Sequence, residues 1–263
     1  MKKVNSYGWK AVIGSSIGYA MDGFDLLILG FMLSLISGDL GLTTGQAGSL
    51  VTWTLVGAVI GGFIFGTLSD KFGRVRVLTW TIVLFAVFTG LCAFAQGYWD
   101  LLIYRTIAGI GLGGEFGIGM ALAAEAWPAQ HRAKATSYVA IGWQLGVLAA
   151  ALLTPVLLPY IGWRGMFMVG IIPAFVAWFF RAKLHEPEIF VQSKEIKEYS
   201  HTNSFKLLVK DVRTTKTSIG VAILTSVQNF GYYGIMIWLP NFLSKQLGFS
   251  LTKSGLWTAV TVC

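Results

Sequence analysis

Ionisable residues interrupt segments of the chain that are otherwise apolar. Asp22 and Asp25 lie in the first apolar segment, and Arg105 and Glu115 lie in the fourth. A charged group inside an apolar span is costly to bury, so such residues usually mark ion or substrate pathways. The i,i+3 spacing places Asp22 and Asp25 on one face of a helix. Two carboxylates so close together suit proton uptake and release. Asp22, Asp25 and Glu115 are therefore the candidate proton groups.

The helical rise gives an estimate of how deep these residues lie. If the first helix starts near residue 11, Asp25 lies about 21 Å along it. The fourth helix runs in the opposite direction from near residue 99, which puts Arg105 about 9 Å along it. The apolar core is about 30 Å thick, and the two distances are measured from opposite sides of it. The two residues therefore lie at a similar depth. We therefore expect an Asp25–Arg105 pair, in which Arg105 holds the acid or binds a substrate carboxylate. A static ion pair is the alternative.

Composition indicates a membrane protein. Hydrophobic residues make up 55% of the 263 residues and charged residues 12%, whereas a soluble domain carries about 25% charged residues. The mean hydropathy is +0.66. Several apolar segments are long enough to cross a bilayer, and another begins near residue 252. The sequence therefore predicts an all-α membrane protein with spans at residues 11–37, 47–69, 75–96, 99–125, 136–160, 164–182 and 217–243.

Most of the Lys and Arg residues lie before the first span and in the connections after the second, fourth and sixth. Arg181 is counted in the last of these, and the net charge is +8. Basic connections normally face the cytoplasm. We therefore expect a cytoplasmic N-terminus in the cytoplasmic membrane, and no nucleic-acid partner. The polar stretch 183–216 is predicted to be a cytoplasmic linker between a six-helix domain, residues 1–182, and the start of a second domain, residues 217–263.

Enzyme chemistry has no support in the sequence. We find no nucleophile–base grouping, no metal-ligand spacing and no phosphate-binding loop. The two cysteines, Cys92 and Cys263, cannot form a disulfide framework or a metal cluster. The chain is predicted not to be an enzyme and to need no metal or cofactor, with a proton as the coupling ion.

A strongly patterned segment, GTLSDKFGRVR, joins the second and third spans. It resembles the signature loop of the major facilitator superfamily, GxxxD-[RK]-xGR, although Val75 stands where that family often has a basic residue. In that family the loop helps to latch two six-helix halves together in one state of the transport cycle. The resemblance implies gating roles for Gly66, Asp70, Lys71, Gly73, Arg74 and Arg76.

Other segments strengthen this resemblance. Residues 105–117, RTIAGIGLGGEFG, are similar to the RxxxGxG element of the family, and residues 125–132, EAWPAQHR, to its ExxPxxxR element. The second implies that Glu125 and Arg132 pair with the loop after the second span. Together with the Asp-Gly-Phe-Asp segment, these residues resemble the sialate/lactate and aromatic-acid proton symporters. The implied function is proton-coupled symport of a small organic anion, such as a monocarboxylate or sugar acid.

The seventh span carries a polar stretch with Gln228, Asn229, Tyr232 and Tyr233. These groups could bind a substrate carboxylate or hydroxyl, or they could bind neighbouring helices, and both interpretations stay open.

Two other functions stay open as well. One is a carrier of uncharged or cationic solutes, in which the aspartates bind substrate directly. The other is a transport-inactive membrane protein, because the resemblance implies a fold whose N-terminal half is complete here and whose C-terminal half is truncated. We expect this chain alone to be inactive, and a full-length protein to be monomeric.

Overall fold

The computed structural model describes residues 5–181, 184–187, 190–191 and 209–262, and these ranges are mainly helical and contain no strand. The predicted all-α class is confirmed. A short 3-10 turn, Ala129–His131, precedes the fifth helix. The helices are α1 Ser6–Leu40, α2 Thr44–Phe72, α3 Arg74–Cys92, α4 Tyr98–Glu125, α5 Arg132–Arg181, α6 Val212–Leu247 and α7 Leu251–Val262.

Helix α5 contains two spans that run in opposite directions. The chain leaves the helical conformation at Gly162, where φ is 65° and ψ is 179°, and a positive φ of this kind favours glycine. Before this break, Gly142 lies against Ser16 of α1. Beyond it, Arg181 donates a hydrogen bond to the carbonyl of Gly14, also on α1. The chain therefore returns to the level at which it started, and the two predicted spans lie on either side of Gly162.

Helices α2 and α4 cross with their backbones in close contact. A Cβ atom added at Gly109 would lie 2.1 Å from the carbonyl oxygen of Thr54, and one added at Gly113 would lie 1.8 Å from that of Ala58. Small residues permit such approaches between membrane helices. The crossing fixes the position of α4 and therefore that of Arg105, four residues before Gly109.

Apolar side chains pack together at one end of the bundle. Ala11 of α1 is buried there with Val77 of α3, Leu122 of α4 and Leu184. This end also carries Lys71, Arg74, Arg76 and Arg132, and we call it the basic end. The start of α1, the α2–α3 turn, the end of α4 and the end of α5 therefore meet at one level, as an alternating series of spans requires.

Five helices, α1 to α5, are long and apolar enough to cross a membrane within the described ranges. Helix α6 has 36 residues, but polar residues such as Gln228 and Asn229 interrupt its apolar sequence and it is not among the five. The described part of α7 has 12 residues, fewer than a complete crossing needs. Most of the predicted linker, residues 183–216, lies outside the described residues, and the domain boundary stays a prediction.

Candidate functional site

A bidentate ion pair joins α1 and α4 inside the bundle. Nη1 of Arg105 donates to Oδ1 of Asp25 at 3.0 Å, and Nη2 donates to Oδ2 at 2.7 Å. The two side chains are 0% and 1% exposed. Nε of Arg105 also lies 3.4 Å from the hydroxyl oxygen of Thr54, and its guanidinium carbon lies 5.8 Å from the ring centroid of Phe167. The pair expected from helical depth is present, whereas its role in transport stays a prediction.

A second bidentate pair lies nearer the basic end. Nη1 of Arg181 donates to Oε1 of Glu115 at 2.8 Å, and Nη2 donates to Oε2 at 2.6 Å. Thr81 donates to Oε1 at 2.7 Å. The carbonyls of Gly14 and Leu78 accept further bonds from Arg181, at 3.2 and 3.3 Å. This one guanidinium therefore connects four helices, α1, α3, α4 and α5.

The assignment of Arg181 to a basic connection is wrong. Its side chain is 0% exposed, and it ends α5 inside the bundle. A signal was present in the sequence, because Arg181 falls within the predicted span 164–182 just as Arg105 falls within its own. An arginine inside an apolar span calls for a buried acidic partner.

Asp22 lies between these two pairs on the same face of α1. Asp25 follows it by three residues, and Gly18 precedes it by four. A Cβ atom at Gly18 would lie 2.0 Å from Nη2 of Arg181, so Gly18 marks the level of the second pair. Asp22 is 1% exposed, and neither of its carboxylate oxygens has a hydrogen-bond partner within the described ranges.

Asp22 and the two arginine–carboxylate pairs together form what we call the buried array. Three are acids and two are arginines, and Asp22 is the acid without an arginine of its own in the described part of the chain. The charges that act on Asp22 come from Glu115, Arg181 and Asp25. An unpaired buried carboxylate is costly as an anion, and a bound proton removes that cost and leaves the array neutral. The members of the array are Asp22, Asp25, Arg105, Glu115 and Arg181.

Helix α6 brings two of its four candidate residues to this region. The indole N–H of Trp143 donates to the hydroxyl of Tyr232 at 2.7 Å, and that hydroxyl donates to the side-chain oxygen of Gln144 at 3.3 Å. The ring of Tyr233 packs edge-on against Trp143 at 6.1 Å, and Tyr233 lies within electrostatic reach of Asp22.

The other two candidates on α6 are not brought to the array. Gln228 and Asn229 are exposed, and their side chains form no hydrogen bond with the described residues.

A different set of charges lies at the basic end. Arg74 donates to Oδ1 of Asp70 at 2.5 Å, to the hydroxyl of Ser69 at 3.0 Å and to Oε1 of Glu125 at 3.1 Å. The side chains of Asp70 and Glu125 are 42% and 23% exposed. The predicted contact between Glu125 and the loop after the second span is therefore present, and Asp70 has a partner within its own loop.

Glu186 completes this basic-end network, which we define as Asp70, Arg74, Glu125 and Glu186. Its Oε2 accepts the backbone N–H groups of Arg74, at 2.7 Å, and Val75, at 3.3 Å, and its Oε1 accepts that of Arg76 at 3.1 Å. These N–H groups begin α3, whose first turn has no acidic residue and no side-chain cap of its own. A helix N-terminus without a cap calls for an acceptor from elsewhere, which is the signal that sequence reasoning missed.

Gly73 is required at this turn for two reasons. Its φ of 112° belongs to the region that favours glycine. A Cβ atom there would also lie 2.4 Å from Oε1 of Glu186. The turn and its acidic cap therefore depend on the same residue.

The remaining predicted gating residues lie at the surface of the basic end. Lys71 is exposed, with its ammonium nitrogen 5.5 Å from the ring centroid of Phe72. Arg76 and Arg132 are exposed and form no side-chain ion pair with any described residue. The expected pairing of Arg132 with the loop after the second span is not present among the described residues, because Arg74 binds Asp70 of that loop and Arg132 begins α5 at the surface.

Gly66 lines a groove between α2 and α4. The groove has a volume of about 340 Å³, and Gly62, Gly113 and Gly117 also line it. A Cβ atom at Gly66 would meet nothing within 4 Å, so this glycine does not serve close packing within the described chain.

Several known proteins resemble this chain in sequence. It is 79% identical to a putative metabolite transport protein of Haemophilus influenzae, over 99% of this chain and 65% of the relative. It is 37% identical to a probable 4-methylmuconolactone transporter of Cupriavidus pinatubonensis, over 87% of this chain and 54% of the relative. It is 33% identical to the sialic acid transporter NanX of Escherichia coli, over 73% of this chain and 48% of the relative. The chain therefore spans between about half and two thirds of these relatives.

The fold is also found among solved structures. The crystal structure of a D-xylose-proton symporter matches with a TM-score of 0.76 over 98% of this chain and 66% of that chain, at 22% sequence identity. At this identity the match establishes the fold and leaves the substrate open. The predicted facilitator fold is confirmed.

The family follows from these matches and from the helices that can cross a membrane. The model of the Major Facilitator Superfamily matches residues 15–263, and the relatives are named as transporters rather than enzymes. The chain is therefore a multi-pass membrane protein, and it belongs to the major facilitator superfamily.

Proposed function

We propose that this protein is a secondary active transporter that carries a small organic anion together with a proton. The observation that carries the proposal is the buried carboxylate of Asp22, which has no hydrogen-bond partner among the described residues and lies between two arginine–carboxylate pairs. Such a group takes up a proton without leaving an unpaired buried charge. Asp25 and Glu115 are the other proposed proton groups, because each carboxylate would bind a proton when it releases its arginine.

Arg105 is the proposed partner of the substrate carboxylate. A guanidinium binds a carboxylate in bidentate fashion, and Arg105 already binds Asp25 in this way. Protonation of Asp25 would free the guanidinium for the substrate. The hydroxyls of Tyr232 and Tyr233, on the side of Asp22 that faces α6, are the proposed hydrogen-bonding groups for the remainder of the anion.

The proposed substrate class also has support from the relatives. Proteins 33%, 29% and 26% identical to this chain are named as transporters of cis,cis-muconate, niacin and benzoate. All three are small carboxylic acids. A guanidinium in the buried array suits this shared group, whereas an uncharged sugar would leave it without a counter-charge.

The basic-end network is the proposed gate. Its ion pairs are partly exposed, so they cost little to break and re-form, as a latch between two states must. We propose that Gly66, Asp70, Lys71, Gly73, Arg74, Arg76, Glu125 and Arg132 act there. We also propose that this end faces the cytoplasm, as its positive charge favours.

Uptake into proteoliposomes tests the transport proposal. The protein is expressed from its complete coding sequence and reconstituted, and radiolabelled muconate, sialic acid, xylose and choline are offered with an inward proton gradient. We expect the acids to accumulate and the lumen to acidify above the level of protein-free liposomes, while xylose and choline do not accumulate. Accumulation of xylose or choline instead would favour the carrier of uncharged or cationic solutes. Absence of all uptake would favour a transport-inactive protein.

A further inference from the structure

The face of α1 that carries the aspartates also carries the site of Arg181. Gly14, Gly18 and Asp22 follow one another at intervals of four residues, so they lie one above the other. Arg181 donates to the carbonyl of Gly14 and lies against Gly18. Asp22 is the next residue on this face, about 6 Å further along the helix axis.

Arg181 and Asp22 each carry unsatisfied polar atoms, and the guanidinium of Arg181 lies beside Gly18, about one helical turn before Asp22. Nε of Arg181 is buried, and it has no hydrogen-bond partner within the described ranges. Both carboxylate oxygens of Asp22 are also buried without a hydrogen-bond partner in these ranges. Buried polar groups are normally hydrogen-bonded, and a guanidinium N–H is a donor that a carboxylate would accept.

The other groups around Asp22 do not offer it a cation. Asp25, on α1, is held by Arg105 of α4. Tyr19 of α1 and Tyr233 of α6 lie within electrostatic reach of Asp22, and a phenol carries no positive charge in either protonation state. Of the charges that act on Asp22, Glu115 and Asp25 are acids, which leaves Arg181 of α5 as the cation.

We propose that Arg181 is shared between Glu115 and Asp22, and that a proton moves in the opposite direction whenever the guanidinium changes partner. In the starting state Asp22 is a neutral acid and Glu115 is an anion paired with Arg181. In the exchanged state Asp22 is the anion paired with Arg181, and Glu115 holds the proton. One proton passes from the Asp22 carboxyl to the Glu115 carboxylate, and the summed charge of the three groups is zero in both states.

This charge balance is the physical advantage of the exchange. Breaking a buried pair by leaving one partner unpaired costs about 3–5 kcal/mol, and here neither state contains an unpaired charge. Arg181 is thus a positioning residue that decides which acid is the anion. Glu115 becomes a second proton station, one step nearer the basic end. The inference rests on the proposed proton coupling and adds Arg181 and Gly18 to its machinery.

Gly18 provides the space for the exchange. Any side chain at this position would occupy the volume of Nη2 of Arg181 and of Oε2 of Glu115, which lie 2.0 and 2.5 Å from an added Cβ. The guanidinium must pass along this part of α1 to reach Asp22. A glycine leaves the path open.

Infrared spectroscopy of protonated carboxyl groups tests the exchange without any substrate. The 263-residue chain in detergent micelles is labelled with carbon-13 on the side-chain carboxyl of either aspartate or glutamate, so that the two residue types absorb separately. At neutral pH we expect a buried protonated aspartate band in the unmodified chain, and its loss in Asp22→Asn. In Glu115→Gln, Arg181 is released to Asp22, and we expect the same aspartate band to disappear although Asp22 is intact. Glu125→Gln, in the basic-end network, is the matched control that should leave the band unchanged.

A milder variant covers the case in which Glu115→Gln does not fold. Thr81→Val removes the hydroxyl that donates to Glu115, keeps the side-chain volume and weakens the anionic state of Glu115. Part of the protonated band should then move from the aspartate label to the glutamate label. A persistent aspartate band in Glu115→Gln, an unchanged label pattern in Thr81→Val, or no Asp22 band in the unmodified chain would each overturn the inference.

The outcome is separable from the proposed function. If the aspartate band disappears in Glu115→Gln while no organic acid is transported, the exchange stands and the substrate assignment is lost. If organic acids are transported with protons while the band persists, the transport proposal stands and the sharing of Arg181 is lost.

Discussion

The buried array and the basic-end network use the same chemistry in different surroundings. In the array, Arg105 and Asp25 are 0% and 1% exposed and face each other in bidentate geometry. In the network, Arg74 divides its donors among Asp70, Ser69 and Glu125, and Asp70 is 42% exposed. Burial makes the first kind of pair costly to break, whereas water and salt weaken the second.

This difference is the physical basis of the separate tasks that we propose for the two regions. A buried pair such as Arg105–Asp25 keeps its charge state until a proton or a substrate carboxylate replaces one partner. This behaviour suits the proposed coupling of proton and substrate. A partly exposed network can open with little change in free energy, which suits the proposed gate. The predictions below test this contrast by removing one element from either region, in order of decreasing effect.

Removing one partner of the buried Arg105–Asp25 pair should have the largest effect on stability. Arg105→Ala leaves the Asp25 carboxylate buried and unpaired, and we expect a loss of about 3–5 kcal/mol in the free energy of unfolding. Unfolding in mixed detergent micelles measures it. The control is Asp25→Leu combined with Arg105→Leu, which removes both charges and should restore most of the stability. A single variant as stable as the double variant would contradict the burial of the pair.

Two glycine variants compare packing in the two regions. Gly18→Ala would push its methyl group against Arg181 and Glu115, and we expect a loss of about 1–3 kcal/mol from overpacking. Gly66→Ala meets open space, so its change should lie within about 1 kcal/mol and favour the helix. Thermal melting of both purified variants checks this. Equal losses would show that the second buried pair is not tightly packed.

The cap of α3 should contribute an intermediate amount. Glu186→Ala leaves the N–H groups of Arg74 and Arg76 without their acceptor, and we expect a loss of about 0.5–2 kcal/mol, as for other helix caps. Glu186→Gln keeps one oxygen acceptor and should lose less. Hydrogen exchange at the first turn of α3 measures the effect locally, and unchanged protection in Glu186→Ala would contradict the cap.

The exposed pair should contribute least and should depend on salt. Asp70→Asn removes the partner of Arg74 that is most open to water, and we expect a loss of about 0.2–1 kcal/mol at low salt. At about 1 M salt the loss should vanish, because the Debye length falls to about 3 Å. Unfolding curves of the two proteins at both salt concentrations test this. A loss that persists in high salt would place Asp70 in the same class as Asp25.

The sequence predicts those parts of the site whose depth in the membrane can be calculated from helical rise and bilayer thickness. Helical rise and the thickness of the apolar core gave Asp25 and Arg105 similar depths, and the two residues form the expected pair. The break between the fifth and sixth spans was also predictable, because Gly162 falls in the short connection between two apolar segments. These inferences depend on local spacing alone.

The parts that sequence did not predict depend on contacts between distant segments. Arg181 lies at the end of a span, where charge counting places it in a connection, and only the packing of four helices shows its pairing with Glu115. Glu186 lies more than a hundred residues from the α3 turn that it caps. Arg132 is the opposite case: its motif predicted a contact with the loop after the second span, but Asp70, the acid of that loop, binds Arg74 instead.

The central claim is that Asp22 carries the coupled proton, and one comparison tests it most directly. Asp22→Asn mimics a permanently protonated acid, so it removes the proton exchange but preserves the shape of the site. In proteoliposomes we expect this variant to retain exchange of labelled for unlabelled organic acid at equal pH on both sides, and to lose accumulation driven by a proton gradient. An Asp22→Asn protein that accumulates the acid as well as the unmodified transporter would contradict the claim.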